Sequence, residues 1–171
     1  MPKKIIPTWV YVAEALDGNG PLYVKVGISR TVESRLLSIQ TGCPIKITAA
    51  KKILLPSCEV ARSLESGLHR ALAESNSSGE WFRFEEPEEG RSRVAMASEN
   101  FLKYRSRWTF EPVDVMALAK VAREKRMEKS VEAAYERFLI EQKRRVSRNF
   151  APVKLPEYAK DWVLTRPSRE H

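Results

Sequence analysis

The chain has 171 residues, 43% of them hydrophobic and 30% charged, with a net charge of +8. That length buries one proper core and a small appendage rather than two full domains, and no stretch approaches the ~20 apolar residues of a membrane-spanning helix, which argues against a membrane protein. Residues 1–90 hold 11 Lys/Arg and 11 Asp/Glu while 91–171 hold 19 and 11, so the basic excess is C-terminal and points to an anionic partner, with nucleic acid the expected one.

In chain order, the start MPKKIIPTW has no long apolar run and no small-residue cleavage site, so the expected location is the cytoplasm. Residues 9–14 (WVYVAE) and 22–29 (LYVKVGIS) alternate and are rich in β-formers, and the intervening ALDGNGP predicts a hairpin with a longer loop. With Val10, Val12, Val24, Val26 and Ile28 toward the core, the two-residue period puts Tyr11, Tyr23, Lys25 and Gly27 on the opposite face. That face is expected to display a phenol and an amine. Thr31 predicts the N-cap of a helix from Val32 to about Gln40, closed by Gly42 and Pro44, with Val32, Leu36 and Ile39 buried and Arg35 at the edge. Residues 45–54 read as a third strand.

Pro56-Ser57 opens a helix of about 18 residues with the stripe Val60, Ala61, Leu64, Leu68, Ala71 and Leu72. At about 100° per residue Glu65 and His69 lie one turn apart, just off that stripe. SNSSGEWFRF (75–84) predicts a polar turn and then a short strand or ordered loop, EEPEEG reads as solvated, and 94–104 as a helix. Residues 113–148 show helical spacing, as one long helix or two. The last stretch is proline-interrupted and could dock through Tyr158 and Trp162. Cys43 and Cys58 form neither a CxxC pair nor a disulfide framework.

A tyrosine on the first strand, a glycine closing the second, an arginine eight residues later and a glutamate on a later helix together resemble the GIY-YIG nuclease superfamily over roughly residues 8–105. Its phage-type branch is similar in more detail. Lys25 in the second motif, Thr41-Gly42-Cys43-Pro44, Glu65-Ser66-Gly67-Leu68-His69 and Gly79-Glu80-Trp81-Phe82 echo that branch. Two departures stand out: Trp9-Val10-Tyr11 replaces Gly-Ile-Tyr, and Lys25 stands where many members carry tyrosine. A late asparagine found in some members has no counterpart here. The resemblance implies an α/β fold, a small antiparallel sheet of about three strands flanked by helices, over residues 1–111. A basic helical extension (112–149) and a tail (150–171) follow.

The resemblance also implies an endonuclease. Phosphodiester hydrolysis needs an activated water, neutralisation of charge gathering on the phosphate and help for the leaving oxygen. Glu65 would hold one divalent ion, Mg²⁺ or alternatively Mn²⁺, and Arg35 would offer its donor fork to the phosphate. Tyr11 would take the water's proton, with Lys25 as the neighbouring cation that favours the phenolate. His69 would orient water, protonate the leaving group or brace Glu65.

Arg30 and the run Lys143, Arg144, Arg145 and Arg148 are candidate DNA contacts. The spacings Lys125/Glu128, Lys129/Glu132 and Arg137/Glu141 suit solvent-facing ion pairs, so much of that charge reads as a soluble helix surface. DNA is the expected partner, single- or double-stranded, with RNA left open and a homodimer through the C-terminal helices as one arrangement. Two rivals stand beside the nuclease. One is a non-catalytic DNA-binding protein on the same scaffold, and the other is an assembly protein acting through its C-terminal helices.

Overall fold

The computed structural model describes residues 6–103, 108–148, 150–152, 154 and 160. Six antiparallel strands, β1 (Thr8–Leu16), β2 (Leu22–Ser29), β3 (Ile47–Leu55), β4 (Asn76–Ser78), β5 (Trp81–Phe84) and β6 (Glu111–Pro112), form one sheet in the order β4-β5-β2-β1-β3-β6. Helices α1 (Val32–Gly42), α2 (Cys58–Ala71), α3 (Pro87–Leu102) and α4 (Val115–Val146) complete the fold. The α/β class is as expected, but the sheet has twice the anticipated strands. The added ones are short: a polar hairpin, β4–β5, and a two-residue edge, β6, too brief to show a period.

Alternation in β1 and β2 sorts their side chains as their sequence predicts. Val10, Val12, Val24 and Val26 meet Ile53 and Leu55 of β3, Phe82 and Phe84 of β5, and the α2 stripe Ala61, Leu64, Leu68 and Leu72 in one buried cluster. The α2 helix starts where expected, with the Ser57 hydroxyl accepting from the Val60 N–H at 3.3 Å. It is shorter than predicted, ending at Ala71, which is exposed.

The opposite face corrects an expectation. It is not an open display surface but a second, smaller core, in which α1 lays Val32 and Leu36 over Tyr11, Ala13, Ile47 and Ala50. Tyr11 is 1% exposed and Lys25 8%. Ile39, Val113, Val115 and Leu118 pack around its rim. A tyrosine and a lysine alternating with valines look solvent-facing in sequence, yet α1 closes over Tyr11 while Lys25 is buried beside Glu80 and Trp81.

EEPEEG is likewise not simply a solvated turn. Pro87 occupies the first turn of α3 with Glu88 and Glu89, where its missing N–H costs nothing and acidic groups face the positive helix end. Gly90 is buried there, and a Cβ on it would lie 2.6 Å from Cγ of Phe84.

Contacts divide the chain between Ala119 and Lys120. The first unit takes in β6, Val113 and the opening turn of α4, so the boundary at residue 111 falls inside the edge strand of the sheet. From residue 115 the helical region is one continuous helix of 32 residues, with no fully buried residue. Tyr158 and Trp162 lie outside the described residues.

Candidate active site

The site is built around the crossing of Tyr11 and Gly27, which are direct cross-strand partners in the β1–β2 ladder. The tyrosine ring lies over the glycine so closely that a Cβ at position 27 would sit 2.5 Å from the phenol oxygen and 2.8 Å from Cζ. Only a residue without a side chain admits the ring. From α1, the Arg35 guanidinium donates a hydrogen bond to the Tyr11 hydroxyl. Burial nevertheless prevails: it raises the Tyr11 phenol above the ordinary tyrosine value, and Arg35 opposes that shift without cancelling it.

The next group enters because β5 stops short. Its pairing with β2 runs only from Leu22↔Phe84 to Lys25↔Trp81, so among the described residues no strand pairs with the rest of β2 on that side. Two side chains of α2 take the backbone there. Nε2 of His69 lies 3.3 Å from the Val26 carbonyl oxygen, and the Glu65 carboxylate accepts from the Ile28 N–H. The His69 ring also sits edge-on to Phe82, with centroids 5.2 Å apart. Glu65 is thereby held half-buried, and burial raises its carboxyl above the ordinary value while His69 lowers it. Residues from both sides of the sheet thus converge at one open strand edge.

Glu80, just before β5, connects the two sides. Its carboxylate pairs with Nζ of Lys25 at 2.7 Å, which holds it below the usual carboxylate range. It is also felt electrostatically by Tyr11, Arg35 and Glu65. This revises the role expected of Lys25: the cation that hydrogen-bonds the phenol is Arg35, whereas Lys25 is committed to Glu80 and lies 5.4 Å from the Trp81 ring centroid. Sequence reading missed Glu80 as an individual residue. The signal was its place in the GEWF segment, directly after the turn glycine Gly79 with φ +57°.

Of the other candidates, Arg30 is exposed between β2 and α1. In the second unit, Lys143, Arg144 and Arg148 are exposed at the end of α4 and Arg145 half-buried. The run is better compensated than its sequence suggests, since Glu141 accepts from Arg145 at 3.2 Å and lies 3.9 Å from Arg144. Glu141, Arg144, Arg145, Arg148 and Phe150 line a notch of about 320 Å³.

Among the described residues no group of three or more His, Cys, Asp or Glu is arranged to hold a metal ion. A cation held here would rest on one carboxylate, Glu65, and would need water and a phosphate to complete its shell, as Mg²⁺ commonly does.

An α/β domain whose open strand edge gathers a phenol, two cations, two carboxylates and an imidazole has the make-up of a nuclease-like domain. The chain belongs to the T5orf172 domain family, whose profile matches residues 8–108; this is a phage-associated domain related to GIY-YIG and HNH-like nucleases. No curated protein and no solved structure matched the chain. Among the described residues, no helix is long and apolar enough to cross a membrane.

Proposed function

We propose that the protein is a divalent-metal-dependent endonuclease that hydrolyses DNA phosphodiester bonds at the Tyr11–Arg35–Glu65 edge of the sheet. The observation that supports this reading best is the Arg35–Tyr11 hydrogen bond above Gly27, beside a carboxylate on the neighbouring backbone. Arg35 meets the scissile phosphate with its planar donor fork, while Lys25 neutralises the neighbouring Glu80 carboxylate. Mg²⁺ on Glu65 would offset charge on the phosphate oxygens and help supply the attacking water. His69, already tied to the Val26 carbonyl and lowering Glu65, suits bracing the carboxylate better than protonating the leaving group.

Tyr11 is the general base in this scheme, and its raised pKa carries a consequence with a definite sign. The phenol of the free protein is protonated at neutral pH, so single-turnover cleavage should climb with pH through 7 to 9, and Tyr11→Phe should abolish both cleavage and climb. The same raised phenol favours the second reading, a DNA-binding protein with an idle site. Supercoiled plasmid and labelled single-stranded DNA incubated with Mg²⁺, Mn²⁺ or EDTA, beside Arg35→Ala and Glu65→Ala, separate the two. Metal-dependent cleavage lost in both variants supports the endonuclease. Salt-sensitive binding by clean wild-type protein with no cleavage under any condition supports the binder.

A further inference from the structure

Arg35, the cation assigned to the phosphate, stands at one side of an open groove of about 330 Å³ whose other walls the proposed hydrolysis does not use. Lys25 and Arg35 line it together with Trp81 from β5, Ile39 from α1, and Cys43 and Pro44 from the turn after α1. Its volume is at the low end of small-ligand clefts, which run from about 300 Å³ upward.

Two features point to its occupant. Among the described residues Trp81 joins neither hydrophobic core, although Phe82 and Phe84 on the same short strand are buried in one of them. Its ring is half-buried in the groove wall with Nζ of Lys25 held 5.4 Å from its centroid. The groove thus combines the Arg35 guanidinium and the Glu80-paired Lys25 with a flat aromatic face, an isoleucine and a proline ring. A nucleotide has the complementary make-up, an anionic phosphate tethered to a flat, weakly polar ring. Base stacking on an aromatic side chain beside a cationic track is how proteins hold unpaired strands, and it tolerates any base because every base has a π-face. A base within a duplex is stacked on both sides and offers no such face.

We propose that this groove binds one unstacked nucleobase next to the scissile phosphate, on the face of Trp81, so that the substrate is single-stranded or locally unpaired nucleic acid. The proposal rests on the phosphate-binding reading of Arg35 and adds the strand form to it.

The test compares the full-length protein's affinity, in EDTA at one fixed salt concentration, for a thymidine 12-mer and for an abasic 12-mer with the same phosphates. Wild-type protein should bind the thymidine oligomer at least about fivefold more tightly. Trp81→Leu should erase that preference while leaving affinity for the abasic oligomer unchanged. A second readout needs no variant: labelling of Cys43 by N-ethylmaleimide should be slowed by the thymidine oligomer and not by the abasic one, with Cys58, which does not line the groove, as internal reference. Equal, salt-sensitive affinity for both oligomers with Cys43 unprotected overturns the base subsite and leaves the phosphate reading standing. No binding to either, together with no cleavage of plasmid, overturns both.

Discussion

The two faces of the sheet are made from the same strands and put to different ends. Against α2 and α3, β1 and β2 turn valines toward leucines and phenylalanines in a wholly apolar cluster. On the other face, the alternate residues of those strands bury a phenol beneath α1 and an ammonium group beside Glu80 and Trp81. Burial of apolar side chains stabilises, at about 1.5–3 kcal/mol each, whereas burial of titratable groups is unfavourable unless they are partnered. Here each has a partner, Arg35 for Tyr11 and Glu80 for Lys25. The apolar face carries the fold, and the mixed face holds reactive groups in fixed positions.

Substitutions that act on one face and not the other break or sharpen this contrast. The largest loss of stability should come from the apolar face: Leu64, 0% exposed, replaced by alanine should cost about 2–5 kcal/mol in urea unfolding, with cleavage per folded molecule unchanged. Gly27→Ala should cost about 1–3 kcal/mol, as an overpacked site does, and should also abolish cleavage because the added methyl group displaces the Tyr11 ring. Tyr11→Phe keeps the ring and removes only the oxygen. It should shift stability by about 1 kcal/mol or less while eliminating cleavage, which makes it the cleanest separation of fold from chemistry.

Glu65→Gln should have the smallest effect on stability, and of opposite sign. A carboxyl whose folded pKa lies above its unfolded value favours folding below the unfolded value and loses that contribution as pH rises through the folded one. The glutamine variant should therefore melt slightly higher than wild type at pH 7. The difference should fade as pH falls through the carboxylate range, with cleavage absent throughout.

Much of the apolar face was legible in the sequence because its signal is periodic. Valines at every second position and leucines at helical spacing leave few arrangements for β1, β2 and α2. The candidate site was partly legible through the order and spacing of Tyr11, Gly27, Arg35 and Glu65. What escaped was decided by contacts distant in sequence. No local pattern says that α1 closes over Tyr11, or that Lys25 finds Glu80 55 residues away. The β4–β5 hairpin hides in NSSGEW because its backbone pairs while its first strand stays exposed. The helical start at Pro87 hides for a related reason, since the acidic residues that favour a helix N-terminus also favour solvent.

The early end of β5 has a further consequence. A bare strand edge is a template for another chain to pair with, and proteins usually guard it with charge or a covering side chain. On β2 the guards are Glu65 and His69, the same groups that face the proposed chemistry. Removing both to alanine uncovers the Val26 carbonyl and the Ile28 N–H, so the inactive double variant should self-associate by strand addition. Light scattering that rises with concentration while the melting transition persists would register that association in a still-folded protein. The proposed activity and the protection of this edge would then depend on the same two side chains.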